Sequence, residues 1–278
     1  MPSELDERRL KEAKKFLQGL VKDSSKLFAA LDRTKSISQA IDSVGTGVGS
    51  TPESQRRLAL LADLDRAAAG HVELASLFWG QSQVRSMSDA ARCYSLLLDR
   101  EGAGVEDFQM RLFAEQPTAT IYSLVRAGHL TVQPKTIQTA VINLLDRAVS
   151  SGFNISRDPM DRLLSKVDGL SAGKKKDVEA LKTFIQKLQR LQALVRLPQD
   201  LDALLKSSFM SAHQVAHTPR HSFVTVIGRH GIPAASAVRI HNHATLVDMR
   251  NEQAWTALLA SKHDVSLAAL ARPKAAPP

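Results

Sequence analysis

The sequence has one cysteine and no long apolar run, and these scarcities exclude several classes of protein. A lone Cys93 cannot form an intrachain disulfide or a cysteine-based zinc cage. No stretch approaches the roughly 20 consecutive apolar residues that a membrane-spanning helix needs. The N-terminus, MPSELDERRLKEAKKF, is charged where an export signal has its apolar core. We therefore expect neither a transmembrane helix nor an ordinary signal peptide.

Aromatic residues are also scarce, at 5% of a chain whose formal net charge is +9. A basic chain often binds nucleic acid or an acidic membrane surface. Proteins that grip single strands usually add aromatic stacking platforms, however, and here the aromatics are mostly phenylalanines at helical spacing. A basic helical nucleic-acid-binding protein therefore remains an alternative and is not the leading interpretation.

Alternation typical of strands is nearly missing, and HSFVTVIG (221–228) is the only short stretch that shows it. Apolar residues recur instead at helical spacing, and prolines and small polar residues punctuate them. The sequence predicts an all-α fold of about ten to twelve helices, arranged as an irregular multi-helix bundle or a solenoid-like array. The helices predicted with definite ranges are 4–33, 105–115, 117–127, 134–150, 177–195 and 233–261, and others are expected to begin at Pro52, Pro198 and Pro219.

Changes in composition divide the chain into three predicted regions. Residues 1–50 form an N-terminal amphipathic helix and a glycine-rich linker, SVGTGVGS. Residues 51–265 form the main helical domain. Residues 266–278, which end in ARPKAAPP, are predicted to be a disordered tail.

Three histidines, His213, His217 and His221, are spaced four residues apart and would share one face of an unbroken helix. Pro219 lacks the N–H that a helix interior needs, so we expect a helix to end near His217, with Thr218 capping the next one. Gln214 stands where zinc proteases of the HExxH type carry their glutamate. We therefore interpret these histidines as surface or turn residues and assign no metal ligands, which leaves a histidine-metal hydrolase as a second, weaker alternative.

Other catalytic signatures are weak or missing in the sequence. The stretch KHD (262–264) is similar to a metal-binding pair of HD phosphohydrolases, but the remaining ligands are not at recognisable places. The glycine-rich stretches GTGVGS and GLSAGKKK lack the spacing of phosphate-binding loops and are interpreted as linkers. No GxSxG nucleophile motif is present. Cys93 is predicted to be a buried structural thiol. We assign no catalytic or cofactor-binding residue and predict no cofactor.

One long segment, residues 181–228, resembles the helical shell of the A subunits of insecticidal toxin complexes (Tc toxins) and their neuraminidase-region-bearing relatives. Family members carry an LQR-L-x-L-P segment, then paired leucines, then SA-x-x-IA and a closing F-V and G. The matching residues are Leu188, Gln189, Arg190, Leu194, Leu197, Pro198, Leu204, Leu205, Ser211, Ala212, Val215, Ala216, Phe223, Val224 and Gly228. The likeness is looser over 50–180 and ends near residue 265.

The resemblance implies a non-enzymatic structural or interaction module within a large secreted toxin assembly. Its partners would be other segments of the toxin complex, or further copies of this chain, since family members assemble as pentamers around a pore-forming channel. This chain has no long channel-forming helices and no neuraminidase-like Asp box. The resemblance therefore does not carry pore formation or toxicity over to this chain alone.

Overall fold

A computed structural model describes residues 7–18, 20–21, 24–49, 51–79, 81, 83–102, 104–164 and 175–270, with the backbone alone at 7–9, 12, 16, 72, 175 and 262–270. Regular structure in these residues consists of α-helices and three short 3-10 turns, without a strand, so the all-α fold is confirmed. The helices are α1 Glu7–Gln18, α2 Ser25–Thr34, α3 Ile37–Val44, α4 Pro52–Ala67, α5 Val72–Trp79, α6 Met87–Arg92, α7 Val105–Glu115, α8 Pro117–Ala127, α9 Gln138–Ser150, α10 Met160–Leu164, α11 Lys175–Gln192, α12 Pro198–Lys206, α13 Ala212–Ala216, α14 Arg220–Gly228 and α15 Ala234–Leu270.

Proline and polar caps mark the helix starts as expected, whereas one predicted continuous helix was wrong. Thr51 accepts a hydrogen bond from the backbone N–H of Ser54, and Pro52 opens α4. The single helix predicted over 4–33 is two helices, since α1 ends at Gln18 and α2 begins at Ser25. The strand-like stretch HSFVTVIG is the body of α14. Short helices such as α10 and α13 raise the number of helices above the ten to twelve expected.

The chain divides into two compact units, one of Met1–Gln189 and Arg196–Asp202 and the other of Arg190–Val195 and Ala203–Pro278. Helices α1 to α5 of the first unit share an apolar core. Its buried members are Leu10, Ala13, Leu17, Val21, Leu27, Ala30, Leu31, Ile37, Ala40, Ile41, Leu58, Leu61, Ala62 and Trp79. Asp65 of α4 is buried below this core and accepts a 2.9 Å hydrogen bond from the N–H of Ser38, which fixes the start of α3.

Helix α8 is the most enclosed helix of the first unit, since every position from Pro117 to Val125 is buried. Among its buried polar side chains, Thr118 has internal partners, whereas the hydroxyl of Thr120 has no hydrogen-bond partner among the described residues. Thr118 Oγ1 donates to the carbonyl of Phe153 (2.8 Å) and accepts from the N–H of Ile155 (2.9 Å). Gly128, at φ +80°, ends the helix in the left-handed conformation, which lets the N–H of His129 reach the carbonyl of Leu124. A helix without a polar face is stable in water only when neighbouring helices cover it on all sides.

The second unit is built around the N-terminal half of α15. Phe223 of α14 lies at the centre of its core, with its ring centroid 5.2 Å from that of Phe209 and 5.6 Å from that of His241. Val215 of α13 and Ala237 and Ala244 of α15 are fully buried, and these small side chains let the helices approach closely. His241 Nε2 lies 2.8 Å from the carbonyl of Thr218 and so fastens α15 to the turn between α13 and α14.

Candidate functional site

The chain turns between the second and third of the equally spaced histidines, as Pro219 predicts. Helix α13 begins after Ser211, whose hydroxyl accepts from the N–H of Gln214, and it ends at Ala216. Pro219 is extended (φ −52°, ψ 130°), and α14 begins at Arg220. Thr218 does not cap α14, because its hydroxyl donates back to the carbonyl of Gln214. The expected capping role was therefore wrong, but the break was confirmed.

The turn separates His221 from the other two histidines. His221 lies in the first turn of α14, where its Nε2 is 3.1 Å from the hydroxyl of Ser222. His213 and His217 stay together at the end of α13, with ring centroids 4.0 Å apart. The i, i+4 relation recognised in the sequence therefore holds for this one pair.

Helix α15 brings two carboxylates to this histidine pair. His213 Nδ1 lies 3.1 Å from Asp248 Oδ1, and His217 Nδ1 lies 3.4 Å from Asp248 Oδ2. Glu252 follows Asp248 by one helical turn. One potential ligand atom from each of the four residues lies within 4.8 Å of all the others. We call His213, His217, Asp248 and Glu252 the histidine–carboxylate cluster.

The members of the cluster differ in their exposure. The side chain of Asp248 is 11% exposed, whereas those of His213 and His217 are 64% and 58% exposed. Asp248 follows the fully buried Ala244 of α15 by one helical turn. The arrangement therefore places a shielded carboxylate below two imidazoles that solvent can reach.

Sequence reasoning found half of this cluster and missed the other half. Asp248 and Glu252 are also an i, i+4 pair, and this spacing in VDMRNEQ is the only signal that could have found them. Nothing in the sequence aligns residue 248 with residue 213, because that register depends on how α13 packs on α15. Two other described histidines of the unit contact backbone carbonyls, since His241 Nε2 is 2.8 Å from the carbonyl of Thr218 and His243 Nδ1 is 3.4 Å from that of Leu194. The side chains of KHD and the stretch GLSAGKK lie outside the described residues.

The first unit contains an open cleft of about 590 Å³ beside Cys93, lined by Gln81, Gln83, Asp89, Arg92, Cys93, Ser95, Leu96, Tyr122, Ser123, Arg126 and Ala127. Cys93 is partly exposed there, so the prediction of a buried thiol was wrong. Asp89 is used within its own helix, where Asp89 Oδ2 accepts from Ser86 Oγ and from the N–H of Arg85.

The cationic groups of the cleft already have partners. Arg92 forms a 2.7 Å ion pair with Asp146 and stacks over the ring of Tyr122, at 5.2 Å from its centroid. Arg126 donates to the hydroxyl of Tyr122. Asp89 is the one carboxylate among the described lining residues, and the thiol of Cys93 lies 3.8 Å from Gln83 Nε2. The charged side chains of the described lining are therefore already hydrogen-bonded within the protein.

The C-terminal part of α15 forms the third notable surface. Asp248 is the last buried residue among the described side chains of the helix, and every one of those from 249 to 261 is exposed. Trp255, Leu258 and Leu259 are 60%, 46% and 40% exposed and lie on one face of the helix, at spacings of three and four. We call these three residues the Trp255 face. Leu246 and Met249 are also exposed, outside this face.

The comparisons with known proteins give no relative on which to base a function. No family model matches the chain, and neither a curated protein nor a solved structure is significantly similar to it. The resemblance to the shell of Tc toxin A subunits, which depends on packing motifs, therefore stays a prediction.

Proposed function

We propose that the protein is a non-enzymatic helical interaction module that assembles through the Trp255 face of α15. The observation that carries this proposal is the exposure of Trp255, Leu258 and Leu259, at 60%, 46% and 40%, on a helix whose first half is well packed. Large apolar side chains at positions i, i+3 and i+4 are the anchors by which helices dock on one another. None of the described helices is long and apolar enough to cross a bilayer.

The charge pattern favours another helix as the occupant of this face. Residues 253–261, QAWTALLAS, contain no charged side chain. A nucleic-acid contact or an anionic headgroup would need lysine or arginine at the contact, since neutralised phosphates supply most of that affinity. An uncharged apolar surface instead matches a second apolar surface, and the matched pair excludes water from both.

We commit to the same face of a second copy as that occupant. Symmetric association places a patch against itself, so the patch must be self-complementary. A charge-free face meets this requirement, because no like charges would oppose one another at the contact. The resemblance to the Tc toxin shell, whose family members are oligomeric, agrees with this choice. Packing against further segments of such a toxin assembly is the finer proposal.

Light scattering coupled to size-exclusion chromatography, over a wide range of protein concentration, tests the proposal. We expect a concentration-dependent rise from the 30.3 kDa monomer to a dimer or larger oligomer, and its loss in Trp255→Glu. Leu96→Glu is the matched control, because Leu96 is 40% exposed and lies on the first unit. A strictly monomeric protein at all concentrations would contradict the proposal.

Salt separates this proposal from the nucleic-acid alternative. Each copy carries a formal net charge of +9, so added salt screens the repulsion between copies and strengthens their association. Binding to DNA or RNA has the opposite response and weakens steeply with salt. Retention of the protein on nucleic acid at low salt, with release as the salt rises, would favour the alternative.

A further inference from the structure

Two helices of the second unit each present two metal-binding side chains one turn apart, and the two pairs face one another. His213 and His217 come from the end of α13, and Asp248 and Glu252 come from the middle of α15. We propose that this histidine–carboxylate cluster binds one divalent transition-metal ion of the Zn²⁺ type. The proposal is independent of the self-association of α15, because it concerns different residues.

The spacing of the ligand atoms fits a tetrahedral ion. Zn²⁺ binds imidazole nitrogen and carboxylate oxygen at about 2.0 to 2.2 Å, which separates neighbouring ligand atoms by about 3.3 Å. His213 Nδ1 lies 3.1 Å from Asp248 Oδ1, and His217 Nδ1 lies 3.4 Å from Asp248 Oδ2, so the two contacts use different oxygens of the carboxylate. His217 Nδ1 also lies 3.0 Å from the carbonyl oxygen of His213, a contact that an ion bound at this nitrogen would replace. The whole set lies within 4.8 Å, a span that small side-chain rotations can close. Glu252 is exposed and free to make such a rotation.

The donor set selects the chemical class of the ion. Two imidazoles and two carboxylates suit Zn²⁺ and its neighbours Co²⁺ and Ni²⁺, whereas Mg²⁺ and Ca²⁺ prefer oxygen ligands alone. Asp248, at 11% exposure, is the one shielded member of a cluster whose other three side chains are exposed, and shielding from water strengthens the attraction of its carboxylate for a cation. The two exposed imidazoles leave a path by which the ion can enter from solvent.

Four protein ligands complete a tetrahedral shell, which is the pattern of a structural site and not of a hydrolytic one. The ion would join α13 to α15 beside Asp248, the last buried residue before the exposed segment. Its effect would be to hold the base of that segment against the second unit. Metal binding to the folded state alone also stabilises the fold.

Isothermal titration of the full chain tests the site, using protein purified without a histidine tag and stripped with a chelator. We expect one equivalent of Zn²⁺ to bind, with saturation, and to raise the thermal midpoint. Bound Co²⁺ should show the visible absorption bands of a tetrahedral ion. The variant H213A/H217A should lose about 100-fold or more in affinity, and Glu252→Gln about tenfold.

His221→Ala is the matched control, because His221 is an exposed histidine that the turn at Pro219 keeps outside the cluster. Its Zn²⁺ affinity should equal that of the wild type. Two results would overturn the proposal. One is the lack of saturable binding near one equivalent. The other is binding by H213A/H217A that is as tight as that of the wild type, which would identify adventitious surface sites. Because Glu252 is exposed, Glu252→Gln should keep the helical circular dichroism spectrum of the wild type, which shows that its loss of affinity does not come from unfolding.

Discussion

Helix α8 and the C-terminal part of α15 are both poor in charge, yet their surroundings are opposite. Every residue of α8 from Pro117 to Val125 is buried, whereas every described side chain of α15 from 249 to 261 is exposed. Composition alone gives the same expectation for both, namely a helix covered by neighbours. The first unit supplies that cover to α8 from its own helices. No described helix covers residues 249–261 of α15 in this way, and this difference is the basis on which we propose the Trp255 face as the interaction surface.

The largest expected effect is on the free energy of unfolding, when a buried side chain of α8 is shortened. Leu124 of α8 is 1% exposed, so Leu124→Ala removes apolar contacts and leaves a cavity. We expect the free energy of unfolding to fall by about 3 kcal/mol, within the range of about 2 to 5 kcal/mol for such truncations. Urea denaturation followed by circular dichroism measures it. A loss below about 1 kcal/mol would mean that α8 is not enclosed as described.

The next effect concerns a buried hydroxyl. Thr118→Val keeps the shape of the side chain but leaves the carbonyl of Phe153 and the N–H of Ile155 without their partner. We expect a loss of about 1 to 3 kcal/mol in the free energy of unfolding. Thr256→Val is the matched control on α15, since Thr256 also donates from its hydroxyl but is exposed. Equal losses of unfolding free energy in the two variants would contradict the distinction between a buried α8 and an exposed α15.

A smaller effect is expected at Tyr94, which is fully buried and whose hydroxyl has no described hydrogen-bond partner. Burial raises the pKa of its phenol, because the charged form is disfavoured there. In the unfolded chain this phenol ionises at its ordinary pKa of about 10, whereas in the folded protein it stays neutral to higher pH. The free energy of unfolding is therefore unaffected by Tyr94 below a pH of about 10 and falls as the pH rises above it.

Tyr94→Phe removes the unpartnered buried hydroxyl and, with it, the group that ionises at alkaline pH. We expect the unfolding free energy at neutral pH to be unchanged or higher by about 1 kcal/mol. The alkaline decline in stability should become shallower, as denaturation midpoints between neutral and strongly alkaline pH would show. An unchanged alkaline slope would contradict the assignment of that decline to Tyr94.

The smallest effect on the free energy of unfolding is expected in the exposed C-terminal part of α15. Leu258→Ala removes side-chain atoms that are already largely in water, so dilute protein should unfold within about 0.5 kcal/mol of the wild type. The same substitution should weaken self-association, which sedimentation at high concentration measures. A large loss of stability in the dilute monomer would show that Leu258 belongs to the core.

Local sequence signals anticipated the helices well, because the causes of those features lie within a few residues. Pro52 starts α4 and Pro219 separates α13 from α14, as the sequence predicts. The break between α1 and α2 was missed because leucines at helical spacing continue on both sides of it. Periodicity records which face is apolar, but it does not record a short interruption.

The candidate site shows where such reasoning ends. The pair His213 and His217 was visible from spacing alone, and Pro219 correctly separated His221 from it. Asp248 lies 35 residues after His213, and only the packing of α13 on α15 brings the two together. The exposure of Trp255 was equally invisible, since a buried and an exposed apolar face have the same sequence pattern.

Fluorescence of Trp255 gives the most direct test of the central claim, that the Trp255 face is covered by a second copy. The chain has two tryptophans, and Trp79 is 7% exposed, so Trp79→Phe leaves Trp255 as the single reporter. In dilute protein we predict red-shifted emission that acrylamide quenches strongly. As the protein concentration rises, the emission should shift to the blue and the quenching should fall. Emission that stays red-shifted and fully quenchable at every concentration would contradict the claim.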